Sequence, residues 1–219
     1  MASKLRAGRA QHWGERVEVR DDGMTETDAR AAWLDATTYE EICELTARYV
    51  EGGSPYCPWY AGPLDEESGP LIPVLAGLCR AGFMTVASQP GVLQPAFRQR
   101  AFVDGLASRP VAEALYRVEM HSDLVVLMAP SGAQSHVRIP VTVEDWRPFT
   151  AAGTLGTEQE FISTEFPNLA DALGDTWSAC IIDPVWGREK YLWDRLSEAL
   201  LFSHEAHPNL GHPPDSWMI

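Results

Sequence analysis

Glu67, Ser68, Thr85 and Ser88 are the residues of this chain whose types and spacing could hold a small molecule. A carboxylate can accept two ribose hydroxyls or attract a cation, and hydroxyls can both donate and accept. Glu67 and Ser68 stand just before a predicted helix, where backbone N–H groups are free. Thr85 and Ser88 stand near the end of a predicted strand. The same residues also fit a purely structural role, with Ser68 capping the helix and Glu67 offsetting its dipole. A regular strand sends Thr85 and Ser88 to opposite faces. One ligand can touch both only if the strand bends or ends near Ala87.

These four residues lie in the segment Leu64 to Gly91, which must position them. It reads as a carboxylate-bearing loop, an apolar helix, a glycine stop, a short strand and a turn. Leu71, Leu75 and Leu78 repeat at helical spacing. Pro70 and Pro73 fit only the first helical turn, where a missing N–H costs least. Ala81-Gly82 ends the helix, Phe83 to Ala87 forms the strand, and Pro90-Gly91 suits a type II turn. A polar arm, residues 1–26, comes first. A helix from about Thr27 to Val50 follows, broken near Thr37-Thr38, and a proline- and aromatic-rich loop spans Tyr56 to Pro63. Beyond the segment, Arg98 to Ala107 is expected to be helical, and a second helix follows Ser108-Arg109-Pro110 to about Met120. Strands are expected at Asp123 to Ala129, Val137 to Val143 and Trp177 to Ile182, and a helix from Arg188 to Phe202. Residues 145 to 175 show no clear pattern. Helices alternate with short strands, so the expected class is mixed α+β, with mixed sheets surrounded by helices. The expected domain covers residues 27–203, with a tail at 204–219.

Other groups could carry chemistry. Tyr56, Trp59 and Tyr60, with Trp186 and Trp193, could stack on a purine or cage a sulfonium cation; equally, they could pack the loop onto the core. His204, His207 and His212 could share a metal, but no HExxH spacing is present. His121-Ser122-Asp123 has the composition of a catalytic triad, yet adjacent side chains diverge. There is no GxSxG, P-loop or GxGxxG.

Composition removes several function classes. A net charge of −14 over 219 residues opposes nucleic acid and anionic membrane surfaces as partners. No apolar run reaches the length of a membrane span. The basic N-terminus, with Lys4, Arg6 and Arg9, lacks the apolar core of a secretory signal, so a cytoplasmic protein is expected. Cys43, Cys57, Cys79 and Cys180 form no CxxC pair, so reduced, buried thiols and no zinc site are expected.

Leu64 to Pro90 resembles the C-terminal regulatory domain of eukaryotic methylenetetrahydrofolate reductases. The likeness rests on Glu67-Ser68, the leucine-rich helix, Gly82, Thr85 and Ser88-Gln89-Pro90. It extends to Cys57-Pro58-Trp59, Gln99-Arg100-Ala101-Phe102, Ser108-Arg109, Ala112 to Leu115, Asp183 and Leu192-Trp193. It covers about residues 55–128 and 178–202. The chain is also similar to standalone actinobacterial proteins that carry the Ser88-Gln89-Pro90-Gly91 pattern. The family's domain binds S-adenosylmethionine or S-adenosylhomocysteine and transmits inhibition to a separate catalytic barrel. The resemblance therefore implies that Glu67, Ser68, Thr85 and Ser88 lie at ligand contacts, with Gln89 and Trp59 as further candidates. Ser68 replaces a threonine and keeps the hydroxyl. The chain has no room for the flavin-binding barrel, so neither flavin nor folate reduction is expected of it. The linker that reports ligand occupancy has no recognisable counterpart.

The leading expectation is a standalone sensor or regulatory module for an adenosyl ligand. The alternatives are a small enzyme acting on an adenosyl or nucleoside substrate in the same pocket, and an interaction protein that has lost the ligand. The last would work as a homodimer or with a partner enzyme.

Overall fold

A computed structural model describes residues 24–60, 62 and 64–201, apart from the side chains of residues 158 and 159. Two capping boxes open the described chain. Thr25 and Asp28 start α1, Glu26–Asp35, and Thr38 and Glu41 start α2, Tyr39–Val50. The predicted break at Thr37-Thr38 is thus a second helix start. A 3-10 turn, Glu66–Leu71, holds Pro70 and leads into α3, Ile72–Arg80, whose first turn holds Pro73. Gly82 follows at φ +91°, and a Cβ there would sit 2.9 Å from the Ser108 hydroxyl.

The strands are β1, Phe83–Gln89; β2, Val92–Leu93; β3, Phe97–Gln99; and β4, Phe102–Ala107. Helix α4, Arg109–His121, precedes β5, Val125–Pro130; β6, Ser135–Glu144; and β7, Arg147–Leu155. Then come α5, Thr157–Glu165, a 3-10 turn, α6, Ala170–Leu173, β8, Trp177–Ile182, α7, Tyr191–Leu196, and a π turn, Ser197–Leu201. One sheet has the order β1-β4-β8-β5 and the other β2-β3-β6-β7. The protein is a single α+β domain, as its alternating pattern implied. Its strand pairs are antiparallel throughout, not mixed.

Two expectations are corrected. Arg98 to Ala107 is not helical but forms β3 and β4. Strand β4 is interior, between β1 and β8, and this non-local pairing overrides the local pattern. Pro90-Gly91 is not a type II turn, because Gly91 does not take the positive φ that such a turn requires. It carries the chain from the first sheet to the second. A Cβ on Gly91 would lie 2.8 Å from the Arg188 carbonyl oxygen, so close packing is what demands glycine there.

Three apolar clusters hold the layers together. Phe83, Val103, Ala107, Ala179 and Ile181 pack under α3, α4 and α7 through Leu75, Leu78, Leu115, Leu192 and Leu196. On the opposite face, Met84 and Leu106 meet Trp33, Ile42, Ile162 and Leu173. Cys180 and Ile182 on that face meet Val141, Ala152 and Leu155 of the second sheet. Each such large side chain contributes about 1.5–3 kcal/mol by burial. The site segment is therefore clamped between rigid elements. No described helix is long and apolar enough to cross a membrane.

Candidate functional site

The register of β1 against β4 decides whether Thr85 and Ser88 can meet one ligand. Thr85 pairs with Gly105, and Ser88 pairs with Val103. Between them the ladder skips Val86, leaving a β-bulge. Directly paired residues share a face, and Gly105 and Val103 are two apart on β4, so they share one as well. Thr85 and Ser88 therefore lie on the same face, the one that Phe83 buries under α3. A bend in the strand was the condition that a regular strand could not meet, and the extra residue supplies it.

The 3-10 turn carrying Glu67 and Ser68 lies against β1. Glu67 is exposed as a residue, but its carboxyl end reaches Gln99, with Oε2 3.5 Å from the amide Nε2. Burial pushes the Glu67 pKa up; the Gln99 amide opposes this, and nearby Asp65 adds to the rise. Gln99 is buried, and its Oε1 has no hydrogen-bond partner among the described residues. Ser68 is buried and does not cap the helix; no side-chain bond caps the 3-10 turn or α3. Among the described residues the hydroxyls of Ser68 and Ser88 bond to no protein group, so both can serve a ligand.

The other candidates are committed to the protein. Thr85 is fully buried, with its hydroxyl 3.4 Å from Cys79 Sγ. The Gln89 amide nitrogen donates to the carbonyls of Arg100 at 2.9 Å and Val141 at 3.0 Å. Trp59 packs edge-on against Trp33, with centroids 4.9 Å apart. Tyr60 stacks on Tyr49 at 5.0 Å. The aromatic loop thus packs onto the core, while Trp186 lies elsewhere, beneath Arg100. Trp193 is buried in the first apolar cluster.

The remaining groups separate. Ser122 donates to the Val118 carbonyl at 2.7 Å, and Asp123 pairs with Arg188, so His121-Ser122-Asp123 makes no triad. His204, His207 and His212 lie outside the described residues, as do the tail and most of the arm. Among the described residues no cluster of three or more His, Cys, Asp or Glu could hold a metal ion. Cys43, Cys57, Cys79 and Cys180 are free, buried thiols. Burial raises the pKa of Cys43, Cys57 and Cys79, which keeps those three protonated.

Among the described residues, two surface cavities of about 420 Å³ stand out, and neither of these is lined by Glu67, Ser68, Thr85 or Ser88. One lies by Tyr56, Tyr60 and Phe161; the other lies by Leu93, Phe97, Arg98 and Trp146. Sequence reading missed Gln99, Arg98 and Trp146 as site residues. Only the last left a local signal, an Asp145-Trp146 pair between two runs of strand-forming residues.

The molecule is thus an α+β domain with a bulged strand beside a carboxylate-bearing turn. Residues 28–203 match the family described as Domain of unknown function (DUF6919), and the chain belongs to that family. No curated protein matches the chain.

Proposed function

We propose that this protein binds S-adenosylmethionine, S-adenosylhomocysteine or a related adenosyl compound, as a standalone sensor or regulatory module. The observation that carries this reading is the bulge at Val86, which turns Thr85 and Ser88 to one face. Support comes from the Glu67 carboxylate on the adjoining turn and from the uncommitted hydroxyls of Ser68 and Ser88. The resemblance of Leu64 to Pro90 to an adenosyl-binding regulatory domain supports it as well. The reading needs neither metal nor flavin, and it places the protein in the cytoplasm, where such a ligand would report on methylation.

Calorimetric titration with S-adenosylmethionine, S-adenosylhomocysteine and adenosine, with chromatography of the same samples, tests it. Saturable heat with unchanged ligand is expected. Glu67→Gln should stay folded and bind at least roughly tenfold more weakly, the worth of one charged hydrogen bond. Absence of both heat and thermal shift with all three compounds would sink the reading. Turnover of a ligand would instead make the protein an enzyme.

A second reading is an interaction module that kept the fold and lost the ligand. It is favoured by the commitment of Thr85, Gln89 and Trp59 to internal contacts. Silent titrations together with a stable homodimer or hetero-complex in light scattering would select it.

A further inference from the structure

The hairpin between β6 and β7 turns through two residues, Asp145 at φ +45° and Trp146 at φ +66°. Both central positions of such a turn need positive φ, which glycine and asparagine accept and a bulky aromatic resists. Trp146 is nevertheless 78% exposed, so burial does not explain the strained indole. Its ring meets the Arg98 guanidinium at 4.7 Å, and Trp186 meets the same guanidinium at 5.2 Å. Arg100 lies 4.2 Å from the Trp186 ring. Neither arginine forms an ion pair among the described residues. Arg100 donates to the carbonyls of Pro184 and Pro140, whereas the Arg98 side chain donates to no described protein acceptor. The Arg100 pKa is lowered, first by burial and then by the neighbouring Arg98 charge. Two guanidinium groups without an ion pair among the described residues thus stand together on a chain of net charge −14, with the Asp183 charge acting on Arg100.

We propose that the cleft of about 420 Å³ beside Arg98 and Trp146 binds a small aromatic anion, an aryl carboxylate or aryl phosphate. The guanidinium fork takes the anionic group in bidentate fashion, and the exposed indole stacks on the ring. Leu93 and Val143 supply the apolar wall. In the ladder, Leu93, Arg98 and Val143 lie opposite one another across three strands and share a face of the second sheet. Gln99, next to Arg98 on β3, faces the other way. The cleft is therefore distinct from the Glu67 site, and the inference does not rest on the adenosyl reading.

The full chain is titrated in a calorimeter with 2-naphthoate, 2-naphthyl phosphate, neutral 2-naphthamide and acetate. Saturable binding of at least one aryl anion is expected, with the amide and acetate each at least roughly tenfold weaker. Added salt should weaken the binding. Arg98→Gln should lose roughly 10- to 100-fold in affinity. Trp146→Gly relieves the strained turn, so it should melt higher than the wild type while binding more weakly. That opposition separates a ligand-facing indole from one kept for the fold. Preference between the carboxylate and the phosphate identifies the anionic group. The proposal is overturned if neither aryl anion saturates at about 1 mM, if the amide binds as well, or if Arg98→Gln binds like the wild type. A lower melting temperature for Trp146→Gly also overturns it.

Discussion

Thr142 donates its hydroxyl to Gln89 Oε1 at 3.1 Å, which completes the hydrogen bonding of an amide that ties the two sheets together. The Gln89 nitrogen already donates to the carbonyl of Arg100, where the chain returns from β3 to β4, and to that of Val141 within β6. A residue that resemblance assigns to a ligand is thus a staple between layers. Gln89→Leu should cost roughly 1–3 kcal/mol, the penalty of leaving buried polar groups without partners. Urea denaturation should show a lower midpoint at unchanged slope. A midpoint equal to the wild type would show that water replaces the amide.

Glu67 should leave a pH signature. A carboxyl whose folded-state pKa is raised takes up its proton more readily in the native protein than in the unfolded chain. Its contribution to stability is therefore greatest below the ordinary carboxylate range and is lost as pH rises through the raised value. Melting curves from acid to neutral pH should show this slope in the wild type and a flatter one in Glu67→Gln. Equal slopes would show that the carboxyl end is fully solvated.

Asp183 and Arg188 form the most deeply set ion pair among the described residues. Arg188 Nε donates to Asp183 Oδ2 at 2.6 Å, and Nη2 donates to Oδ1 at 2.8 Å. The Asp183 side chain is fully buried, and the Arg188 guanidinium also stacks on Tyr191 at 3.8 Å. Removing one partner leaves an uncompensated charge, so Arg188→Gln should cost about 3 kcal/mol. Chemical denaturation measures it. A loss well under ~1 kcal/mol, the range of a surface pair, would mean that water reaches Asp183.

Gly105→Ala tests the centre of the first sheet. A Cβ there would lie 2.3 Å from the Met84 carbonyl oxygen, closer than any real contact allows. The β1–β4 ladder would have to part where Thr85 pairs. Overpacking of this kind costs about 1–3 kcal/mol, and the backbone contact puts this substitution at the upper end. A melting temperature equal to the wild type would show that the ladder yields without loss.

Local signals carried much of the fold. Thr25 and Thr38 open helices because a hydroxyl and a carboxylate three residues later satisfy free N–H groups at once. Gly82 stops α3, Ser108-Arg109-Pro110 starts α4, and the apolar run at Trp177 to Ile182 is β8 with the expected ends. Each is dictated by neighbours within a few residues. The same reading marked Glu67, Ser68, Thr85 and Ser88 as site candidates from residue type and place in the chain.

What lies far apart in sequence was decided by pairing. Phe102 to Ala107 is a strand because β1 and β8 flank it, and nothing within the segment announces them. Thr85 and Ser88 share a face because β4 skips Val86, a choice made by the partner strand. Gln89 is closed off by Thr142, 53 residues away, and Arg98 meets Trp146 and Trp186 only once the second sheet has formed. The sequence by itself determined helix starts, glycine stops and which residue types stand near element ends, since these depend on hydrogen bonds and sterics along one stretch of chain. The tertiary structure alone decided which side chains face a common space and which are consumed by internal contacts, because strand register is an interaction between distant segments.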